Sequence, residues 1–262
     1  MLLIFTLVAT LYGFAVGSFL NVVIYRVPRD LSIVKPPSAC PKCSTPIKWY
    51  DNIPVVSWLV LRGRCRACGA PISPRYLVVE LAGGALFAGS AVEFGAHWDA
   101  VAFMALFAGL LALSWIDIEH LRLPTKIVYT TTGIVAALLL VSAAWDGQWH
   151  RLFIAVICSA VWFVFFFLLN FFAPKYLGFG DVRLSVVLGL SLGWLGVGYV
   201  FVGFFAANFI GLLISLALIA TKRMKRDQSI PYGVYLSLAV LFMTFVGPTF
   251  MPAFSTFVNQ HR

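Results

Sequence analysis

Two aspartates at the edges of apolar runs are the first candidates for chemistry. Asp117 closes Leu113-Ser114-Trp115-Ile116-Asp117-Ile118-Glu119, and Asp181 opens Gly178-Phe179-Gly180-Asp181-Val182-Arg183-Leu184. A carboxylate beside hydrocarbon is costly unless it faces a wet cavity or a partner. Glycines at 178 and 180 let another backbone approach closely. Two carboxyls brought together in a poorly solvated site cannot both ionise, so they share a proton and offer an acid and a base at one pH. Such a pair can activate water against a peptide carbonyl and protonate the leaving amine. The competing reading is that each Asp caps a helix end or pairs with Arg122 or Arg183. A lone Gly-x-Gly-Asp does not choose between the two.

The chain has only ten acidic residues, so each can be placed. Glu80 and Glu119 also fall beside apolar runs. Asp30 and Asp51 lie in a Cys-bearing segment, and Asp227 sits among basic residues. Glu93, Asp99 and Asp146 lie on connections expected to be solvated surface. The four histidines (His97, His120, His150 and His261) stand outside the centres of the apolar runs, which leaves an intramembrane Ser/His dyad without a base. There is no His-Glu-x-x-His for a zinc protease, and no Gly-x-Gly-x-x-Gly follows a strand pattern.

Four of the five cysteines form two Cys-x2-Cys pairs, Cys40-Pro-Lys-Cys43 and Cys65-Arg-Ala-Cys68, with 21 residues between them. Two such knuckles can set four thiolates around one zinc ion. Disulfides are the alternative, which a reducing cytoplasmic face disfavours. A four-cysteine site is closed, so the metal would organise a segment too small to hold a core of its own. Cys158 lies in an apolar run and reads as ordinary packing.

The elements that must position these groups are membrane helices. Hydrophobic residues are 61% of the 262, and charged residues only 11%, with a mean hydropathy of +0.93. A soluble domain carries about 25% charged residues to solvate its surface. Eight continuous apolar runs are read as spans: 2–25, 76–95, 100–118, 127–145, 151–172, 183–198, 199–220 and 231–250. Continuous runs favour helices over the alternating pattern of a barrel. The division between the sixth and seventh rests on Gly193, Trp194, Gly196 and Gly198. The first run has no basic residue before it and is read as a retained helix, not a cleaved signal.

Segment 26–75 holds nine Lys and Arg, and with the later odd-numbered connections the total is 17 of 19. This asymmetry puts 26–75 in the cytoplasm and both termini outside. It also gives the formal charge of +9 a topological explanation, so nucleic acid is not an expected partner. The expected architecture is therefore an all-α polytopic membrane protein with about eight spans. Its divisions are a first helix at 1–25, a cytoplasmic four-cysteine zinc module at 26–75, and a membrane domain of seven helices at 76–262. No internal repeat is read.

The chain resembles the type IV prepilin peptidases, bifunctional leader peptidases and N-methyltransferases of the bacterial inner membrane. The resemblance rests on Gly17-Ser18-Phe19-Leu20-Asn21-Val22-Val23-Ile24-Tyr25-Arg26-Val27-Pro28 and on the two Cys pairs. It continues through Pro46-Ile47-Lys48-Trp49-Tyr50-Asp51-Asn52-Ile53-Pro54-Val55, Ser57-Trp58-Leu59, and Pro71-Ile72-Ser73-Pro74-Arg75-Tyr76 with Glu80. The Asp117 stretch through Leu123-Pro124 and the Gly-Phe-Gly-Asp181 stretch complete it. It implies an intramembrane aspartyl protease with Asp117 and Asp181 as the catalytic pair. The enzyme would cut the basic leader of prepilins or pseudopilins after a Gly, on the cytoplasmic side. S-adenosylmethionine would then methylate the new N-terminal residue, usually Phe. The family often has Leu-Pro-Asp after the first site, where this chain has Leu123-Pro124-Thr125. The full Cys module resembles the bifunctional members. Glu80, just inside the second span, is a candidate for methyl transfer; the alternative is pairing with Arg75. A cation transporter using Asp117, Asp181 and Glu80 is a competing class, opposed by the lack of a mid-span carboxylate. A membrane adaptor docking through the Cys module is another.

Overall fold

The computed structural model describes residues 1–174, 177–222 and 230–251, and the regular elements among them are all helical apart from two isolated β-bridges. Lys175, Arg223, Lys225, Arg226, Asp227, His261 and Arg262 lie outside the described residues. The chain forms two compact units, Met1–Ala96 and His97–Arg262.

In the first unit, α1 (Leu2–Arg26) packs on α3 (Arg75–Phe94), with the short α2 (Val56–Val60) between them in sequence. Small residues make the contact. A Cβ on Gly13 would lie 2.5 Å from the Gly83 carbonyl oxygen, and one on Gly17 2.7 Å from Glu80 Cα. Backbone contact of this kind drives helix association where lipid is as apolar as Leu. The packing groups this second long helix with the first, whereas composition places it with 76–262.

The Cys module contains two copies of one knuckle, contrary to the expectation of no repeat. The Cys40 N–H donates to Thr45 O at 3.0 Å and the Ser44 N–H to Cys40 O at 2.8 Å. Cys65 and Gly69 repeat this on Ala70 O and Cys65 O at 2.8 and 2.9 Å. The bridges Ala39↔Pro46 and Arg64↔Pro71 close the two copies, and the turn residues Ser44 and Gly69 both have positive φ. Asp51 ties the segment between the knuckles to the second one: Arg66 Nε and Nη2 donate to its carboxylate at 2.6–2.9 Å. That guanidinium holds the Asp51 carboxyl below its ordinary range.

The second unit comprises α4 (Trp98–His120), α5 (Thr125–Asp146), α6 (Trp149–Phe172), α7 (Phe179–Leu195), α8 (Val197–Ala220) and α9 (Tyr232–Phe245), then a last turn at Gly247–Phe250. Nearly every residue of α7 is buried, because α5, α6, α8 and α9 all pack on it. Gly189 and Gly193 bring α7 against α6: a Cβ at either would lie 2.6–2.8 Å from Ser159 or Cys158. Gly193 is therefore a packing residue and not part of a boundary. The break between α7 and α8 is Gly196 alone, at φ 140°.

Among the described residues six helices, not eight, are long and apolar enough to cross a bilayer: Leu2–Arg29, Arg75–Phe94, Trp98–His120, Thr125–Asp146, Trp149–Phe172 and Val197–Ala220. The other two expected spans form helices of 17 and 14 residues. At 1.5 Å per residue these reach only about 20–26 Å, short of a hydrocarbon core of about 30 Å. The α7 helix starts at Phe179 and not at 183, which puts Asp181 inside its first turn. A second correction concerns Asp99. It is not solvated but buried in the first turn of α4, where Ser142 Oγ donates to its Oδ1 at 2.5 Å.

Candidate active site

Asp117 and Asp181 come within range of each other's charge from opposite ends of their helices. Asp117 is buried near the C-terminal end of α4, and the N-terminus of α9 meets it. The backbone N–H groups of Gly233 and Val234 face its carboxylate. A Cβ on Gly233 would lie 3.0 Å from Asp117 Oδ2. The first N–H groups of a helix have no internal partners and sit at the positive end of its dipole, so an anion suits the place. Asp181 uses the same device on α7: the N–H groups of Gly178 and of Asp181 itself face its carboxylate. A Cβ on Gly178 would come within 3.3 Å of Asp181 Oδ2. The two carboxylates are close enough to feel each other's charge.

Leu123 lies between the glycines of the two helix ends. A Cβ on Gly180 would stand 3.0 Å from Leu123 Cβ, and one on Gly233 3.1 Å from both its methyl carbons. Asp117 Oδ2 is buried without a hydrogen bond of good geometry, which leaves it for a proton or a water. Arg183 directs Nη1 to Thr125 Oγ1 at 2.5 Å and lies 4.7 Å over the Phe179 ring. Tyr232 has Asn208 as a hydrogen-bond partner and feels the charge of Asp181. Glu119 is exposed beside His120, at 3.9 Å, on another face from Asp117. Sequence reasoning does not single out Gly233, Tyr232 or Leu123. The one signal is Pro231-Tyr232-Gly233, a Pro and a Gly at a helix start.

Glu80 is a separate matter, in the first unit. It is buried on α3, and its Oε2 accepts the Val55 N–H at 2.7 Å. Val55 sits at φ 64°, ψ −54°, and the Val56 N–H closes a three-residue turn onto Pro54 O at 2.6 Å. A β-branched residue there costs roughly 1–3 kcal/mol and persists only where its surroundings hold it. Ser57 Oγ adds a second tie, donating to Tyr50 O at 2.9 Å while accepting from the Ile53 N–H at 3.0 Å. Glu80 therefore anchors the module's strained turn to α3. Ser18 gives Glu80 a further side-chain hydrogen bond, and one contact of the Arg75 guanidinium is the face of the Tyr76 ring, at 5.5 Å.

Cys40, Cys43, Cys65 and Cys68 place four sulfurs within 4.8 Å of one another. Four thiolates at about 2.3 Å from a tetrahedral zinc stand about 3.8 Å apart. The Cys40 and Cys68 sulfurs are separated by 3.8 Å, so the donor set fits such an ion. Metal binding needs thiolates. The Thr45 hydroxyl, with its backbone N–H, holds Cys43 down to about 6, and the Cys68 and Ala67 N–H groups lower Cys65, while the neighbouring thiols push Cys68 up to about 11, so this cysteine must release its proton as a metal binds. Cys158 is buried against Gly193, as packing.

These features define a multi-pass, all-helical membrane protein with a carboxylate pair at two helix ends and a four-cysteine cluster. The chain belongs to the type IV leader peptidase family. That family's pattern matches residues 104–216, and the bacterial peptidase A24 N-terminal domain matches 11–94. A prepilin leader peptidase/N-methyltransferase of Stutzerimonas stutzeri is 34% identical over 263 residues, covering 90% of this chain and 89% of the relative. One of Pseudomonas aeruginosa is 33% identical at the same coverage. Another, from Myxococcus xanthus, is 39% identical over 228 residues, covering 84% of this chain and 67% of the relative. No solved structure matches.

Proposed function

We propose that this chain is a bacterial inner-membrane peptidase that removes the basic leader of prepilins or pseudopilins after a Gly, then N-methylates the new N-terminus. The observation that supports the proposal is that Asp117 and Asp181, within range of each other's charge, lie at the N-termini of α9 and α7. One carboxylate takes a proton from a water as its oxygen attacks the scissile carbonyl carbon. The other, protonated, donates to the carbonyl oxygen. When the C–N bond breaks, the proton taken from water passes to the leaving amine. The substrate is itself an apolar helix, so it reaches the pair from the bilayer while its basic leader stays near anionic headgroups. The excess of Lys and Arg over 26–75 supports a cytoplasmic Cys module, and a leader not yet exported is cytoplasmic too.

The test is cleavage of a leader-bearing peptide by purified protein in a bilayer mimic. Cleavage after Gly supports the proposal; metal-ion flux without cleavage would favour a transporter instead.

Zinc is the metal proposed for the four cysteines, in a structural role. Purified protein is expected to carry about one zinc per chain, and Cys→Ser at Cys40, Cys43, Cys65 or Cys68 to lose it and loosen 26–75 to protease. Metal analysis with limited proteolysis checks both. A full metal load in the Cys→Ser variants would overturn the assignment.

S-adenosylmethionine, when bound, supplies an electrophilic methyl group to the free amine. Its sulfonium is a cation, which the buried carboxylate of Glu80 suits. Glu80→Gln is expected to lower methyl transfer about tenfold or more while cleavage stays within about twofold, since an amide keeps the shape but not the charge. Equal losses in both activities would reassign Glu80 to holding the Val55 turn alone.

A further inference from the structure

A buried polar cluster occupies the end of the second unit remote from the carboxylate pair. Asp99 opens α4 and accepts from Ser142 of α5 at 2.5 Å. Arg151 of α6 reaches Asp99 Oδ2 at 3.7 Å and Gln148 Oε1 at 2.5 Å. Its Nε donates at 3.1 Å to the carbonyl of Trp194, in the last turn of α7, and its guanidinium lies 4.7 Å over the indole. Both charged side chains are mostly buried, at 15% and 12% exposure. The helix ends favour both charges: an anion in the first turn of α4 and a cation on the orphan carbonyls of α7.

We infer that Asp99, Ser142 and Arg151 form a clamp that sets the register of α4 against α7, and through it the placement of Asp117 and Asp181. The inference rests on the reading of that pair as catalytic. The α4 and α5 helices pack as one pair, and α6 and α7 as another; α5 and α9 also pack across the joint, but α4 and α7, which carry the two carboxylates, touch each other only sparsely. Asp117 belongs to the first pair and Asp181 to the second, so the site straddles the joint. Ser142 fixes Asp99 within the first pair, and Arg151 fixes the Trp194 carbonyl within the second. The Arg151–Asp99 contact joins them. A helix is a rod of fixed rise, with about 27 Å from Asp99 to Asp117 and about 20 Å from Trp194 to Asp181. A slip at the clamp is therefore transmitted along both rods to the carboxylates. These are positioning residues; none touches substrate.

The experiment measures leader cleavage by full-length Asp99→Asn, Arg151→Gln, their double variant and Ser142→Ala, with Asp117→Asn alongside. Each of the first two is expected to lower kcat about tenfold with KM within about twofold, since displacement by about 1 Å costs up to about 10²-fold. The double variant is expected to be no slower than the slower single, because both break one link. Ser142→Ala, which keeps both charges, is expected to lose about threefold by loosening Asp99. A cooperative thermal unfolding transition at the wild-type midpoint, followed by far-UV circular dichroism, shows that the second unit, which holds the clamp, is folded. Wild-type kcat in all variants, a raised KM at unchanged kcat, or multiplicative losses in the double variant would overturn the clamp. If the charge variants fail to fold, Ser142→Ala decides: an unchanged kcat overturns the clamp and a lowered one at constant KM supports it. Cleavage by Asp117→Asn would instead defeat the catalytic pair itself, so the two failures are distinguishable.

Discussion

Asp117→Asn and Asp181→Asn are each expected to abolish leader cleavage, a loss of about 10³-fold or more, while membrane insertion and the zinc content stay intact. Each carboxyl must hold or accept a proton in one step and return it in the next, and an amide does neither. The N–H groups of Gly233 and Val234 would still face the oxygen of an amide at position 117, so the variant keeps the local helix contacts and loses only the proton. Glu119 is not expected to rescue Asp117. Two residues along a helix is a rotation of about 200°, and Glu119 is exposed while Asp117 is buried. The wild-type pH–rate profile is expected to be bell-shaped. Its acid limb marks protonation of the base and its alkaline limb loss of the acid, with both apparent values belonging to the pair. Methylation of a pre-cleaved peptide is expected to survive both substitutions if that activity resides in the first unit. The measurement is single-turnover cleavage of a leader-bearing peptide by each variant. Substantial turnover by either would leave the proposed peptidase without its acid and base.

Position marks Asp117 and Asp181 as candidates in the sequence, and only the resemblance pairs them. A charge at the edge of a long apolar run needs a reason, and only a few such charges exist in this chain. The four cysteines are legible from spacing, and 38–47 repeats as 63–72 with Cys, Cys, Pro and Ile in register. That repeat is short, and it shows mainly in backbone hydrogen bonds. Asp99 escapes sequence reasoning because its partners come from α5 and α6, and nothing near it in the chain announces them. The α7 and α9 helices read as spans because their residues are apolar. A helix enclosed by other helices is as apolar as one facing lipid, so composition does not separate the two cases. Their lengths, 17 and 14 residues, fall below the roughly 20 of a full crossing, although α7 still joins the level of Asp117 to that of Arg151 and Asp99. The role of Glu80 on the Val55 turn lies in a tertiary hydrogen bond that residue spacing does not encode.

Gly233 carries the second large expected effect. Gly233→Ala is expected to lower leader cleavage about 10²-fold, while Gly133→Ala in α5 leaves it unchanged. A Cβ at 233 would stand 3.0 Å from Asp117 Oδ2 and 3.1 Å from two carbons of Leu123, whereas a Cβ at 133 meets nothing within 4 Å. The new methyl at 233 has two outlets. It can push Leu123 aside, but Leu123 also lies 3.0 Å from the place a Cβ on Gly180 would take, so the second helix end limits that movement. Or it can push the carboxylate of Asp117 away from the N-terminus of α9, which removes its N–H partners and alters its distance to Asp181. Displacements near about 1 Å are enough to cost about 10²-fold when reacting groups must stay aligned. Helix propensity works in the opposite direction, since Ala is favoured over Gly by about 1 kcal/mol inside a helix. Gly233 stands in the first turn, where that gain is smaller, and overpacking costs about 1–3 kcal/mol, so the variant is expected to be folded with stability slightly reduced, and inactive for a local reason. Thermal unfolding followed alongside cleavage separates these. A Gly233→Ala protein that cleaves at the wild-type rate would show that α9 does not set the position of Asp117.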